Sequence, residues 1–279
     1  MPATKTKSVK KTVTAKKTVR KTAKAAVPLK KSPAGRMSLQ EVMKALEKEG
    51  SAQTRKTYAR HGVTGPMFGV SFAFLKTMQT RIRVDQELAE ALWNTGNFDA
   101  RNLALKIADP AGISAKVLDQ WAATPMARMC GGYVAYLTAE SGRGLEKAER
   151  WMGATDDCTR CAGWTLVGAL AMIDEKCPDA WFLARLAEIE KTIHAAPNTQ
   201  RYVMNQALIA IGGRSASLRA AALAAAKRIG TVEVDHGDTD CKTPEAAESI
   251  GKMWERSKSK GFASPAAQER ARESMRTRC

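Results

Sequence analysis

From Ser38 onward apolar residues recur every three or four positions, with almost no strict alternation, a pattern that predicts helices and not strands. "SLQEVMKALEKEG" opens on Ser38 with Glu41 three residues on, the spacing of a capping box, and closes at Gly50. "MFGVSFAFLKTMQTRI" sets Phe68, Phe72, Leu75 and Met78 or Gln79 on one helical face. "DQELAEALWNTG" begins at Asp85, carries Leu88, Ala91 and Leu92, and stops at Gly96; "NFDARNLALKIADP" follows at once and ends at Asp109-Pro110. The rhythm continues through "SAKVLDQWAAT", "PMARMCGGYVAYLTAES", "GLEKAERWMGA", "DDCTRCAGWTLVGALAMIDEK", "PDAWFLARLAEIEKTIHAA", "NTQRYVMNQALIAIGG" and "SASLRAAALAAAKRIG". Short helices in pairs, recurring at roughly 35 to 45 residues, have the period of a HEAT-like α-solenoid. The expected fold class is all-α, a HEAT-like superhelix with a concave basic face; a helical bundle is the alternative.

One stretch interrupts this rhythm. "DHGDTDCKTPEA", residues 235–246, gathers Asp235, His236, Asp238, Asp240 and Cys241 within seven positions. "KTPEA" reads as a helix start, with Thr243 as N-cap, Pro244 at the first helical position and Glu245 in the first turn. The acids ahead of it lack calcium-loop spacing, so the stretch is expected to be a polar connector. "CTRC" at 158–161 is half of a zinc ligand set without a second half, and inside a helix its sulfurs pack as small apolar groups. No metal site is expected.

Charge divides the chain. Of the net charge of +17, twelve positive charges lie in Met1 to Arg36, which holds no acid, leaving +5 for the rest. That Lys/Ala/Thr/Val tail has no aromatic residue and too little apolar surface to offset the entropy of ordering. Residues 1–36 are therefore expected to be a disordered basic arm suited to a polyanion, residues 37–260 a helical repeat domain, and residues 261–279 a helical or flexible C-terminal extension. With 44% hydrophobic residues the chain can bury a substantial core. No apolar run is long enough to cross a bilayer, and the six cysteines are expected to be thiols of a cytoplasmic, nucleoid-associated protein.

Three stretches carry a family resemblance: "YARHGVTGPMFGVSFAFLKTMQTRI", "DQELAEALWNTGNFDARNLALKIADP", and "YVMNQALIAIGG" running on to "VDHGDTDCKTPEAAESIGK". Helical periodicity alone does not dictate Trp93, Gly96, His236 or Pro244 in them. Over about Leu39 to Lys252 the chain resembles the bacterial DNA alkylation repair family of HEAT-like, AlkD-type proteins. The resemblance implies a C-shaped helical protein that holds double-stranded DNA, damaged or branched, in a basic groove. A monomer is expected, without membrane contact or small-molecule cofactor. Some members are N-glycosylases for cationic alkylpurines; others bind DNA without known glycosylase activity.

Release of an alkylpurine calls for a carboxylate to stabilise an oxocarbenium-like sugar and for indole faces that attract a cation. The resemblance places the expected Trp and Asp around Met126 to Gly131 and the second Trp at Gln206, and this chain has none of the three. Asp157, Trp164 and Trp121 are the weak substitutes, with Tyr133, Asp156 and Asp119 as further alternatives; core packing and helix capping are their ordinary uses. Candidate DNA contacts are Lys76, Arg81, Arg83, Arg101, Arg128, Arg160, Arg214, Lys227, His236 and Lys242, against the plain reading of solvated surface. Arg201 and Arg228 share their placement near helix ends. DNA binding with base excision and DNA binding without it both stay open, as does a non-catalytic α-solenoid scaffold for a protein or RNA partner.

Overall fold

The computed structural model describes residues 36–126 and 128–276, the side chains of 128–131 excepted. Among these residues there are fourteen α-helices and no strand. They are α1 (Leu39–Glu49), α2 (Ala52–Arg60), α3 (Phe72–Ile82), α4 (Gln86–Asn94), α5 (Phe98–Ile107), α6 (Ala115–Ala122), α7 (Arg128–Glu140), α8 (Gly144–Met152), α9 (Asp157–Ile173), α10 (Asp179–Thr192), α11 (Asn198–Gly212), α12 (Ala216–Ile229), α13 (Ala246–Ser259) and α14 (Pro265–Arg270). The basic tail and Arg128's side chain lie outside the described residues, except that Arg36 reaches Asp85 and Glu87.

Helix starts are set locally. The capping box forms, with Ser38 N–H donating to Glu41 Oε2 at 2.7 Å and Glu41 N–H to Ser38 Oγ at 3.2 Å. Asp85, Asn97 and Asp156 cap α4, α5 and α9 in the same way, each side chain accepting from a first-turn amide that has no partner within its own helix.

Two local expectations are corrected, and one helix stands where the apolar pattern marks none. Helix α2 is nearly all polar in sequence, and Tyr58 is its one buried residue. Phe68 belongs to no helix: α3 begins at Phe72, capped by Ser71, and the Phe68 amide donates to the Asp99 carboxylate instead. Helix α13 begins at Ala246, not at Pro244. Glu245 is its N-cap, accepting from the amides of Ala247 and Glu248, because the Thr243 hydroxyl is already paired with His236 Nε2 at 3.0 Å.

Helix α9 organises the packing. Ten of its residues are buried, and it lies against α7, α8, α11 and α14. Gly163 allows the α8 contact, since a Cβ there would stand 2.5 Å from the Met152 amide nitrogen. Leu137, Leu166, Val167, Phe182, Leu208 and Ile211 are fully or almost fully buried around this axis, each stabilising the fold by about 1.5–3 kcal/mol. The C-terminal segment is part of this body. Arg276 is completely buried and donates to the carbonyls of Leu105 and Ala108 and to Glu140, while Lys106 Nζ donates to the Arg276 carbonyl at 3.2 Å. These bonds satisfy carbonyls at the C-terminal end of α5 that have no partner within the helix. Among the described residues no helix is long and apolar enough to cross a membrane.

A candidate nucleic-acid interface

Between α6, α7, α9 and α11 lies a cleft of about 600 Å³, counting its open mouth. Helical spacing puts Asp157, Cys161 and Thr165 of α9 on one side of it; α11 contributes Thr199 and Val203, and Trp121 and Met126 close the α6 end. The lining is mainly apolar, with a single carboxylate. Asp157 is exposed and accepts from Gln200 Nε2 at 2.7 Å. Burial, then the negative charge of Asp157, pushes the Cys161 thiol up to about 12, and burial with Asp156 and Asp157 raises Cys158 as well. Both thiols are therefore protonated at neutral pH and are poor nucleophiles. Among the described residues no three His, Cys, Asp or Glu side chains are grouped to hold a metal ion.

The structure brings two of the three weak catalytic candidates, Asp157 and Trp121, to this cleft; Trp121 is stacked on Trp93 with ring centroids 4.3 Å apart. Trp164 is buried and does not line the cleft. Asp119 is fully engaged: Lys147 Nζ donates to both its oxygens at 2.9 Å, Trp151 Nε1 to one at 2.8 Å, and Arg150 stands at 3.2 Å. Gln206 is half-buried on α11.

The candidate DNA contacts fall into different environments. Lys76, Arg81, Arg83, Lys227 and Lys242 are exposed. Arg101 is half-buried, with Nε donating to the Trp93 carbonyl at 3.3 Å. Arg160 is half-buried and its Nε donates to the Ala154 carbonyl at 2.8 Å. Arg214 is buried, and its guanidinium serves the carbonyls of Leu170, Ala171, Asp174 and Cys177 and the Asp179 carboxylate. Arg228 makes a paired contact with Glu190 at 2.6 and 2.8 Å.

His236 sits on a strap, residues 230–245, that α11 holds with one face. Asn198 exchanges hydrogen bonds with the Asp235 backbone, Arg201 donates to the Glu233 carbonyl, and Asn205 donates to the Pro244 carbonyl. The positions differ by three, four and seven, the spacing of one helical face. His236 packs edge-on against Tyr202 at 5.9 Å. The connector expected from the sequence is thus a fixed segment with Asp238, Asp240, Cys241 and Lys242 exposed at its tip. Neither this anchoring face nor the Asp157–Gln200 pair was anticipated, because each joins residues dozens of positions apart.

Known proteins share this architecture. A solved structure from a family related to the HEAT-like repeat DNA glycosylases, with affinity for branched DNA structures, is 30% identical, superposes with a TM-score of 0.74, and covers 86% of this chain and 100% of its own. The fold is accordingly the HEAT-like repeat superhelix expected from the helical rhythm. Uncharacterised proteins of Listeria innocua serovar 6a and Listeria monocytogenes serovar 1/2a are each 27% identical across 77% of this chain, covering 95% and 96% of their own lengths. The family model described as DNA alkylation repair enzyme matches residues 42–250, from the first helix to the thirteenth, and the chain belongs to the DNA alkylation repair family.

Proposed function

We propose that this protein binds DNA, with preference for branched over linear duplex, and that it releases alkylated purines slowly or not at all. The observation that carries the binding half is the likeness, at 30% identity and full coverage of the relative, to a protein with affinity for branched DNA. The second half rests on side chains. The α7 start offers methionine, cysteine and glycine, and α11 offers Gln206, where the family's glycosylases are expected to carry Trp and Asp. An amide lacks the quadrupole that attracts a cationic base, and a glycine or methionine cannot stabilise an oxocarbenium ion. Lys76, Arg81, Arg83, Arg101, Arg128, Arg160, Lys227, His236 and Lys242 are the proposed contacts. Arg214 is not among them, since its donors are spent inside the fold.

A binding panel of linear, alkylated and four-way-junction DNA tests the first half; equal affinity for all three would refute the branched preference. Removing residues 1–36 should flatten log K against log salt by several units, at about 0.9 per phosphate released. A second reading, base excision, is favoured by one observation: Asp157 and Trp121 line the same cleft. Fast single-turnover release of methylated purine, lost in Asp157→Asn with the fold intact, would establish it in place of the non-catalytic reading.

A further inference from the structure

We propose that a polar pocket beside Arg101, separate from the cleft of α9, is a phosphate-binding subsite. It rests on the DNA reading only for the molecule that delivers the phosphate. The pocket is lined by Gly62, Val63 and Thr64 after α2, Gly96, Phe98 and Arg101 around the start of α5, and Pro125 and Met126 before α7.

Its floor is a loop built to hold its shape. Residues 61–71 turn through Gly62, Gly65 and Gly69 at φ of 81°, 85° and 79°, a region closed to most L side chains. One half of the loop is clamped. The buried Asp99 carboxylate accepts the amides of Phe68, Gly69 and Val70 at 2.7, 3.0 and 2.9 Å. The Tyr58 hydroxyl donates to the Val70 carbonyl at 2.6 Å, and the Phe98 amide to that of Pro66 at 2.9 Å. In the other half, the amides of Gly62 and Val63 close the end of α2 on Ala59 and Tyr58. Among the described residues the amide and the hydroxyl of Thr64, which lines the pocket and is exposed, enter no hydrogen bond, nor does the amide of its neighbour Gly65.

Arg101 supplies the charge. Its guanidinium lies 5.4 Å from the Trp93 ring centroid, and Nε takes the Trp93 carbonyl. Among the described residues no carboxylate stands within ion-pairing distance of it, and no acid lines the pocket. Burial pushes its pKa down, the mark of a cation taken from water without a counter-charge. Donors without acceptors, next to a partly desolvated arginine, select an oxyanion, and a guanidinium matches phosphate with two parallel N–H groups. Met126 lines both this pocket and the apolar cleft, so a phosphate here has a surface suited to a sugar or base beside it.

The test uses the full chain. Amide and arginine Nε–H resonances are followed by NMR while inorganic phosphate, and separately a 5′-phosphorylated dinucleotide, is added. Saturable shifts at Thr64, Gly65 and Arg101, lost in Thr64→Glu and Arg101→Gln, support the subsite; tighter binding of the dinucleotide assigns it to nucleic acid, and equal binding to free phosphate. Absence of any shift at these positions overturns it. On DNA, Arg101→Gln should weaken binding about tenfold for every sequence and lower the salt slope by about 0.9. Thr64→Glu, on an exposed residue, gives the same readout should the arginine variant fail to fold. DNA binding with an unchanged slope in both variants sinks the subsite and leaves the DNA reading standing. Phosphate shifts without any DNA binding do the reverse.

Discussion

Two arginines with the same sequence credentials have opposite surroundings. Arg214, between α11 and α12, points into the end of α9, where four carbonyls and Asp179 use its donors and the Phe182 ring lies 4.6 Å from its centre. Arg101, in α5, has one carbonyl, one indole face and an open polar pocket. The first cation serves the fold. The second has hydrogen-bonding capacity to spare. What separates them is which acceptors the rest of the chain brings to the guanidinium, and positive charge near a helix end does not tell the two apart.

The largest expected effect follows at Arg214. Arg214→Ala removes a buried cation and strips partners from the carbonyls of Leu170, Ala171, Asp174 and Cys177, so denaturant unfolding should show a loss of about 3–5 kcal/mol. Arg101→Gln should cost under about 1 kcal/mol by the same measurement, since no buried acceptor network depends on it. Similar losses for both variants would break the distinction between a structural and an available arginine.

Much of the architecture was legible because its causes are local. Ser38 and Glu41, Asp85, and Gly96 mark helix boundaries through contacts within four residues, and the apolar period shows which faces turn inward. Helix α2 escaped because it buries little, and its neighbours hold it: Ser51 caps it, and Arg55 donates to the Phe68 carbonyl. The fate of each charged side chain was not legible. Arg214 meets carbonyls about forty positions away, Gln200 meets Asp157 across α9 and α11, and Asp119 meets Lys147 and Trp151 across α6 and α8. Sequence spacing carries no trace of such pairings until the helices are stacked. The second half of the 61–71 loop is held by Asp99, thirty residues on from Gly69.

The same contrast holds for acids. Asp119 is partly buried; burial pushes its carboxyl up, but hydrogen bonds from Lys147 and Trp151 and the charges of Lys147 and Arg150 hold it below the usual carboxylate range. Asp157 lies exposed with one amide partner. Asp119→Asn should therefore destabilise by about 2–3 kcal/mol at neutral pH, as the buried Lys147 loses its counter-charge. A folded pKa below the unfolded one contributes stability that is present above the ordinary carboxylate value, about 3.9, and is lost as pH falls through the folded value. The gap between wild type and variant should accordingly begin to close as pH falls below about 4 and vanish only below the folded value. A difference that persists unchanged into acid would assign the effect to packing.

The smallest effect sharpens the comparison from the side of the backbone. Arg83 ends α3 at φ 67°, the one described non-glycine residue with positive φ, and its side chain is exposed. Such a conformation costs a non-glycine residue on the order of 1 kcal/mol, which glycine avoids. Arg83→Gly should stabilise the fold by about 0.5–1 kcal/mol, because relief of that strain outweighs the greater chain entropy glycine brings to the unfolded state. If Arg83 meets a phosphate, the more stable variant should also bind DNA more weakly, with a salt slope lower by about 0.9. Stability and binding would then move in opposite directions, the reverse of Arg214→Ala, where weaker binding should appear only as far as the fold is lost. A more stable Arg83→Gly with an unaltered slope would remove Arg83 from the proposed interface and leave the strain as a property of the α3 end alone.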